Sequence, residues 1–201
     1  MDKRAEIAYR FIKKQSEKHG HSKFYNFLSK ANKISLDNNK EDQLFFFLIK
    51  TIVSQQVSTI AAKTIWGRLR PIIELYNKDD INEDVLRSAG ISRQKAAYIL
   101  GILNNKAIKS HSKITLKDYS QDELSKMLIE IKGVGPWTIG ITRMFYICDE
   151  DVWLDGDLGI NKALKTFLPN DDCKNLREIY SPYRTYLSCL LYTSPSPRDP
   201  E

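Results

Sequence analysis

The chain has 201 residues, of which 42% are hydrophobic, so it can bury a core and is not expected to be disordered. A formal net charge of +6 suits a polyanionic partner without proving one, because many basic residues only solvate helix faces. No apolar run approaches membrane-spanning length, and the N-terminal segment lacks the apolar core of a signal peptide. Three cysteines without framework spacing predict a reduced, intracellular setting.

Apolar residues recur at helical spacing along most of the chain, and no strand-like alternation of convincing length is present. We predict helices over residues 2–18, 22–30, 41–56, 58 to about 71, 82–89, 93–106 and 120–130, then from 136, from 158 and after 182. Residues predicted to face inward include Ile7 and the stripe Phe45, Leu48, Ile49, Ile52 and Val53, while Ile60 lies at helical spacing in the helix that follows residue 58. The pattern predicts an all-α fold.

Two polar features interrupt this pattern. Gln55 and Gln56 end the helix predicted over 41–56, where two glutamines have little packing value, and spacing alone indicates a solvent-exposed pair. His19, His21 and His111 lie in polar surroundings without the spacing of a metal site, so we predict surface histidines.

A glycine-bracketed segment, the glycine hairpin, comprises residues 132–136 and has the sequence Lys132, Gly133, Val134, Gly135, Pro136. Glycine reaches backbone angles that other residues avoid, and Pro136 suits the first turn of a helix. The amides of that helix start, including the amide of Thr138, suit an anion such as a phosphate and carry no base specificity. The alternative is an ordinary helix–turn–helix corner, which the sequence of this turn alone favours.

An acidic turn follows the hairpin helix. Asp157 precedes the apolar-periodic run 158–164, which makes it the predicted N-cap of a helix, and amides there favour its ionised form. A fixed carboxylate could stabilise a sugar cation and orient or deprotonate a water molecule. The alternative is a structural cap without chemistry. Asp155 is the competing candidate, but its position before Gly156 fits a turn residue better.

The order of hairpin, aromatic-rich helix, acidic turn and helix resembles the helix–hairpin–helix DNA glycosylases, and most closely their alkylation-repair branch, DNA-3-methyladenine glycosylase II. The matching residues are 131–138 and 153–160, and the resemblance covers roughly residues 40–187. It implies a two-lobed helical bundle with a cleft between the lobes. We expect one domain over 1–187, with lobes at about 1–30 plus 120–187 and at 40–110.

The resemblance also implies roles for individual residues. Asp157 matches the catalytic aspartate, and Gln56 occupies the position of a wedge that fills the gap left by an extruded base. Contacts to DNA are expected from Gln55, Gln56, Lys132, Gly133, Val134, Gly135 and Thr138. Main-chain carbonyls of Ile129, Ile131 and Gly133 are expected to hold a monovalent ion, Na⁺ or K⁺. Trp137 and Ile141 are expected to line the base pocket, although Trp137 could equally be core.

Two absences favour water as the nucleophile. Family members that also cut the backbone carry a lysine two residues after the second hairpin glycine, as a Schiff-base nucleophile, and Trp137 stands there in this chain. The cysteines are too few and too scattered for an iron–sulfur cluster, and no other cofactor is expected to be needed for the chemistry.

The composition changes abruptly near the C-terminus, where the family pattern is lost. Residues 188–201 end in Ser194, Pro195, Ser196, Pro197, Arg198, Asp199, Pro200 and Glu201. Proline cannot continue a helix, so we interpret 188–201 as a non-native or disordered tail, with Tyr192 a poor substitute for a missing pocket wall.

The sequence therefore predicts a monomeric, monofunctional DNA glycosylase that releases alkylated purines from double-stranded DNA. We expect it in the cytoplasm, associated with the nucleoid in a bacterium, or in the nucleus of a eukaryote. The alternatives are a non-catalytic helix–hairpin–helix DNA-binding module and a glycosylase for another lesion, such as mismatched uracil or an oxidised base. The lesion preference depends on the shape of the pocket.

Overall fold

The computed structural model describes residues 3–36, 41–75, 80–116, 119–169 and 171–193. In these ranges the secondary structure is α-helical without β-strands, and one isolated bridge joins Gln43 to Ser112. The helices are α1 (Lys3–Lys18), α2 (Ser22–Lys30), α3 (Leu44–Ser54), α4 (Thr59–Leu75), α5 (Glu83–Ser88), α6 (Arg93–Asn104), α7 (Lys106–Ser110), α8 (Gln121–Ile129), α9 (Pro136–Phe145), α10 (Leu158–Phe167), α11 (Cys173–Tyr180) and α12 (Arg184–Tyr192). The all-α prediction is confirmed. No helix in the described ranges is both long and apolar enough to cross a bilayer.

The helices form two compact units. One unit is the continuous segment Lys40–Thr142, and the other combines Met1–Asn39 with Arg143–Glu201. Two lobes were predicted, one of them built from both ends of the chain. The prediction was wrong for residues 120–142, which belong to the continuous unit. The predicted cleft between the lobes stays a prediction.

Residues 120–142 join the continuous unit because the glycine hairpin packs on its helices. The side chain of Gln55, just after α3, donates hydrogen bonds to the Gly133 carbonyl and to Thr138. The ring of Tyr98 on α6 lies against Gly133. These contacts are specific to the folded chain, and helical periodicity does not reveal them.

Helix α3 is the centre of the continuous unit and packs against α4, α6 and α7. Its sequence is apolar on nearly every side, which is typical of a buried helix. All five residues of the predicted stripe are buried. Ile60 lies at helical spacing in α4 but is 80% exposed, because α4 turns Leu69 and Ile73 toward the core.

In the discontinuous unit, α1 packs against α2, α11 and α12, and α10 packs against α12. The buried stripe of α1 is Ala5, Ala8, Ile12 and Ser16. Ile7, which was predicted to face inward, lies outside this stripe and is exposed.

His21 is buried at 6% exposure, so its prediction as a surface residue was wrong. Nδ1 of His21 lies 2.7 Å from the hydroxyl of Tyr180, and Nε2 lies 3.3 Å from the carboxylate of Asp171. The Tyr180 hydroxyl is also 3.0 Å from Oγ of Ser16. A histidine whose two ring nitrogens both have partners is tolerated inside a protein.

Helix α12 continues through Tyr192, so a tail beginning at residue 188 is not observed. Residues 188–191 are buried, because Leu187, Leu190 and Leu191 give this segment an apolar face at helical spacing. The prolines begin only at Pro195, and residues 194–201 lie outside the described part of the chain. The interpretation of this sequence as non-native stays a prediction.

Candidate functional site

The glycine hairpin joins α8 to α9. Helix α8 starts with a capping box between Ser120 and Glu123. Gly133 has a φ of +91°, which favours glycine, and α9 begins at Pro136 as predicted. The Ile139 amide donates to the Gly135 carbonyl at 3.0 Å. Amides earlier in this first turn therefore have no carbonyl within α9 to bind, and this geometry suits an anion.

Gly133 also packs closely on an aromatic ring. A β-carbon added to it would lie 2.3 Å from Cδ2 and 2.4 Å from Cγ of Tyr98. No such contact exists at Gly135, where an added β-carbon would meet nothing within 4 Å. The two hairpin glycines therefore differ, because only Gly133 is required by both backbone conformation and packing.

Gln55 braces the hairpin from the end of α3. Its Nε2 donates to Oγ1 of Thr138 at 3.0 Å and to the Gly133 carbonyl at 3.3 Å. Thr138 is only 1% exposed, so its side chain is an internal contact rather than a surface group. The predicted DNA contact by Gln55 would therefore compete with the hydrogen bonds that its side-chain amide donates to Gly133 and Thr138.

Gln56 lies at the tip of the same turn. It is exposed, and its φ of +56° is unusual for a residue with a side chain. The ammonium group of Lys95 lies beneath the turn and donates to the carbonyls of Val53 at 2.9 Å and Gln55 at 2.6 Å. Burial lowers the pKa of Lys95.

A polar depression of about 430 Å³ is bounded by this turn, the hairpin and the start of α6. Its lining includes Gln56, Lys95, Tyr98 and residues 133–135. Lys132 is exposed beside it, whereas Val134 is buried at 4% exposure. The structure thus brings the predicted hairpin residues together with Gln55 and Gln56. Neither Tyr98 nor Lys95 was among the predicted site residues.

The two predicted base-pocket residues, Trp137 and Ile141, are four residues apart on α9 and both are half-buried. Side chains at this spacing share one face of a helix. Among the predicted ion ligands, the Ile131 carbonyl accepts the Val134 amide at 2.9 Å, and the Gly133 carbonyl accepts the Gln55 side chain. Within the described residues no three His, Cys, Asp or Glu side chains cluster as metal ligands.

Asp157 is the N-cap of α10, as predicted, and is 9% exposed. Its Oδ1 accepts the Ile160 amide at 2.9 Å, and its Oδ2 accepts the hydroxyl of Tyr192 at 2.5 Å. A β-carbon on Gly159 would lie 2.8 Å from the Tyr192 ring, so glycine permits this contact. Asp155, the competing candidate, is exposed and forms an ion pair with Arg177.

The amino-acid sequence is similar to those of known DNA-3-methyladenine glycosylases. No protein-family profile matches the chain. A DNA-3-methyladenine glycosylase of Saccharomyces cerevisiae is 26% identical over 146 residues, 65% of this chain and 48% of that protein. DNA-3-methyladenine glycosylase 1 of Schizosaccharomyces pombe is 27% identical over 165 residues, 72% of this chain and 69% of that protein. The chain thus spans about half to two thirds of the length of these relatives.

Solved structures agree in fold. A DNA-3-methyladenine glycosidase of Bacillus halodurans has a TM-score of 0.68 at 25% identity, covering 90% of this chain and 87% of its own. In sequence and in fold, the chain is thus similar to DNA-3-methyladenine glycosylases. A Schizosaccharomyces pombe 3-methyladenine DNA glycosylase in complex with abasic DNA has the same fold, with a TM-score of 0.67 at 22% identity, covering 79% of this chain and 85% of its own. In this chain, α8, the glycine hairpin and α9 form a helix–hairpin–helix element.

Proposed function

We propose that the chain is a monofunctional DNA glycosylase that hydrolyses the N-glycosidic bond of alkylated purines, of the 3-methyladenine type, in double-stranded DNA. One observation carries the proposal: the carboxylate of Asp157 is buried and fixed at the start of α10. It occurs in a chain whose relatives include enzymes named as DNA-3-methyladenine glycosylases. The proposed activity thus combines a specific side chain with homology.

Asp157 supplies the chemistry. Hydrolysis passes through a sugar with oxocarbenium character, and a carboxylate held next to it stabilises the developing positive charge. Alkylated purines are already cationic leaving groups, so they require little acid catalysis. The Ile160 amide fixes Oδ1, and Oδ2 orients or deprotonates the attacking water.

The glycine hairpin binds the DNA backbone. Amides near Gly135 and Thr138 at the start of α9 bind a phosphate, and the exposed Lys132 adds a positive charge beside them. These contacts carry no base information, which suits an enzyme that searches many sequences. The damaged base must leave the duplex before reaction, and Gln56 fills the space that it leaves.

Water rather than lysine is the nucleophile. Trp137 stands where the resemblance expects a Schiff-base lysine in members that also cut the backbone. The chain therefore releases the base and leaves an intact abasic site. An assay that resolves abasic from cleaved strands tests this, and β-elimination products above the uncatalysed level would contradict it.

The variant Asp157→Asn tests the catalytic role, with Asp155→Asn as a matched control two residues away. On methylated duplex DNA we expect single-turnover base release to fall at least about 10²-fold in Asp157→Asn, the usual effect of removing such a group. The Kd for a duplex with an abasic-site analogue should stay within about threefold. Asp155→Asn should release bases at the rate of the unmodified chain.

Other results would separate the alternatives. Unchanged release by Asp157→Asn would reject the role of that carboxylate. DNA binding without any base release by the unmodified chain would indicate a non-catalytic module. Release only from duplexes with mismatched uracil or an oxidised base would indicate a glycosylase for another lesion.

We also propose that Na⁺ or K⁺ binds the main-chain carbonyls of Ile129, Ile131 and Gly133, and that the reaction needs no other cofactor. The carbonyls of Ile131 and Gly133 each accept one hydrogen bond, and a carbonyl oxygen has two lone pairs. DNA affinity should therefore be weaker in tetramethylammonium than in potassium salt of equal ionic strength. Equal affinities in the two salts would contradict the ion site.

We infer that the protein acts as a monomer where the DNA lies, in the nucleoid-associated cytoplasm of a bacterium or the nucleus of a eukaryote. One copy carries both the hairpin and Asp157, so the proposed reaction requires no second chain. Sedimentation equilibrium should give the mass of one chain, 23.3 kDa, over a wide concentration range. A mass that rises with concentration would contradict the monomer.

A further inference from the structure

Lys95 makes contacts that neither the resemblance nor the proposed chemistry accounts for. Its Nζ donates to two main-chain carbonyls, those of Val53 at 2.9 Å and Gln55 at 2.6 Å. The lysine is on the first turn of α6, and its side chain is half-buried. It therefore spans from one helix to the end of another, instead of extending into solvent.

The two carbonyls lie at the C-terminal end of α3. The last carbonyls of a helix lack N–H donors within the helix, and the helix dipole makes this end favourable for a cation. The chain leaves α3 at Gln55, whose amide still bonds the Ile52 carbonyl at 3.2 Å. Lys95 thus supplies the donors that this helix end lacks.

The residue after these carbonyls has an unfavourable conformation. Gln56 has a φ of +56°, in the left-handed region, where a side chain is disfavoured and where glycine is the usual residue. Such a conformation persists only when its surroundings hold it. Lys95 holds the turn from α6, and the bonds from Gln55 to Gly133 and Thr138 hold it to the hairpin.

We propose that Lys95 is a positioning residue that locks the turn of Gln55 and Gln56 onto α6, so that Gln56 is presented at a fixed place beside the glycine hairpin. This inference rests on the proposed function, in which Gln56 fills the vacated space in the duplex and the hairpin binds the backbone. Lys95 acts through the main chain of the turn and does not itself neutralise a DNA phosphate.

The salt dependence of binding distinguishes positioning from a phosphate contact. Each lysine that neutralises a phosphate contributes about 0.9 to the slope of log K against log salt concentration. Three variants share the same change of side chain: Lys95→Met, Lys132→Met beside the hairpin, and Lys50→Met on the exposed face of α3. Affinities for an undamaged duplex, measured at several salt concentrations, give one slope for each variant.

We expect Lys132→Met to reduce the magnitude of the slope by about 0.9. Lys95→Met and Lys50→Met should keep the slope of the unmodified chain. In single-turnover base release, Lys95→Met should be at least about tenfold slower, whereas Lys50→Met should be unchanged. Lys95→Arg, which keeps donors for two carbonyls, should recover most of the rate.

Hydrogen exchange gives a readout that needs no enzymatic activity. In Lys95→Met the main-chain amide hydrogen of Gln55 should exchange at least about tenfold faster than in the unmodified chain. Main-chain amides in the middle of α6 should keep their exchange rates. If the methionine variant does not fold, the same measurements are made on Lys95→Gln, whose side chain is shorter and uncharged. A chain that releases no base would overturn the proposed function and leave this exchange test intact.

Two results would overturn the positioning role. One is a salt slope for Lys95→Met reduced as much as that for Lys132→Met, which would identify a phosphate contact. The other is unchanged exchange at the Gln55 main-chain amide in folded Lys95→Met, or in Lys95→Gln where it takes the place of the methionine variant, which would show that the turn holds its conformation without the lysine.

Discussion

The hydroxyl of Tyr192 donates a hydrogen bond of 2.5 Å to Oδ2 of Asp157, while the Ile160 amide donates to Oδ1 of the same carboxylate. Both oxygens of the proposed catalytic group therefore have partners in the protein. The hydrogen bond from the amide belongs to the N-cap of α10. The phenol, on a side chain that is 42% exposed, occupies the oxygen that a sugar cation or a water molecule needs.

Removing that phenol should accelerate the reaction. We expect Tyr192→Phe to raise the single-turnover rate of base release by about threefold to tenfold. A hydrogen bond to a charged group is worth about 1.5–3 kcal/mol, and the transition state recovers only part of it. Tyr119→Phe, on an exposed tyrosine elsewhere in the chain, controls for loss of a phenol. An unchanged or slower rate in Tyr192→Phe would mean that the phenol does not oppose the chemistry.

The two hairpin glycines should respond differently to alanine. Gly133→Ala forces a side chain to a φ of +91° and against the Tyr98 ring, so we expect it to lower the free energy of unfolding by about 1–3 kcal/mol and DNA affinity at least tenfold. The added methyl group of Gly135→Ala meets open space, so the free energy of unfolding should change by less than about 0.5 kcal/mol. Urea denaturation and duplex binding measure both effects. Equal losses in the two variants would contradict the close packing at Gly133.

Asp151 should make stability depend on pH. Burial raises the pKa of its carboxyl, but hydrogen bonds from Arg184 and Ser181 outweigh burial and lower it overall. A lowered folded-state pKa gives stability that is present above the unfolded-state pKa and is lost as the pH falls through the folded-state pKa. We therefore expect Asp151→Asn to lower the free energy of unfolding by about 1–2 kcal/mol at pH 7, a modest loss because the ion pair with Arg184 is partly exposed. The loss should become smaller as the pH falls below 4.

Urea denaturation at pH 7 and at several pH values below 4 measures this difference. Glu17→Gln, at an exposed position of α1, controls for the loss of one carboxylate. A cost for Asp151→Asn that stays constant from neutral to acidic pH would show that the ionised carboxylate is not the source of the stability.

The buried hydroxyl of Tyr180 should stabilise the discontinuous unit. Burial raises the pKa of Tyr180 to about 12, so the phenol is protonated at neutral pH and can serve both Ser16 and His21. Tyr180→Phe leaves these buried groups short of a partner and should cost about 1–3 kcal/mol by urea denaturation. Tyr25→Phe, on a half-buried tyrosine of α2, should cost less than 0.5 kcal/mol. Equal losses in the free energy of unfolding for Tyr180→Phe and Tyr25→Phe would contradict a stabilising role for the hydrogen bonds of Tyr180 to Ser16 and His21.

Local signals predicted most of the helices. Caps and periodicity located α2, α8 and the start of α9, because Ser120, Pro136 and apolar spacing act within one turn. Helix α11 was not predicted, and the helix predicted from Arg93 continued through Asn105, whose side chain instead caps the short helix α7. In the sequence, an asparagine that ends one helix and caps the next cannot be distinguished from a polar residue on the exposed face of one longer helix.

The candidate site was predictable only in part. The Asp157 cap and the hairpin follow from nearby residues, and homology supplied their roles. Lys95 and Tyr192 could not be assigned, because each reaches its partner over more than thirty residues of sequence. A lysine on a helix and a tyrosine near the end of the chain carry no local sign of the carbonyl or carboxylate that they contact.

The division of the chain into a continuous unit, Lys40–Thr142, and a unit made from both ends has a consequence for its synthesis. All residues of the inner segment are translated before the C-terminal helices, so that segment can fold without them. The first 39 residues cannot complete their unit, and the apolar side of α1 stays exposed, until Tyr180 and its neighbours have been synthesised. A released fragment that ends at residue 142 should therefore resist protease in its middle and be cut within α1 and α2.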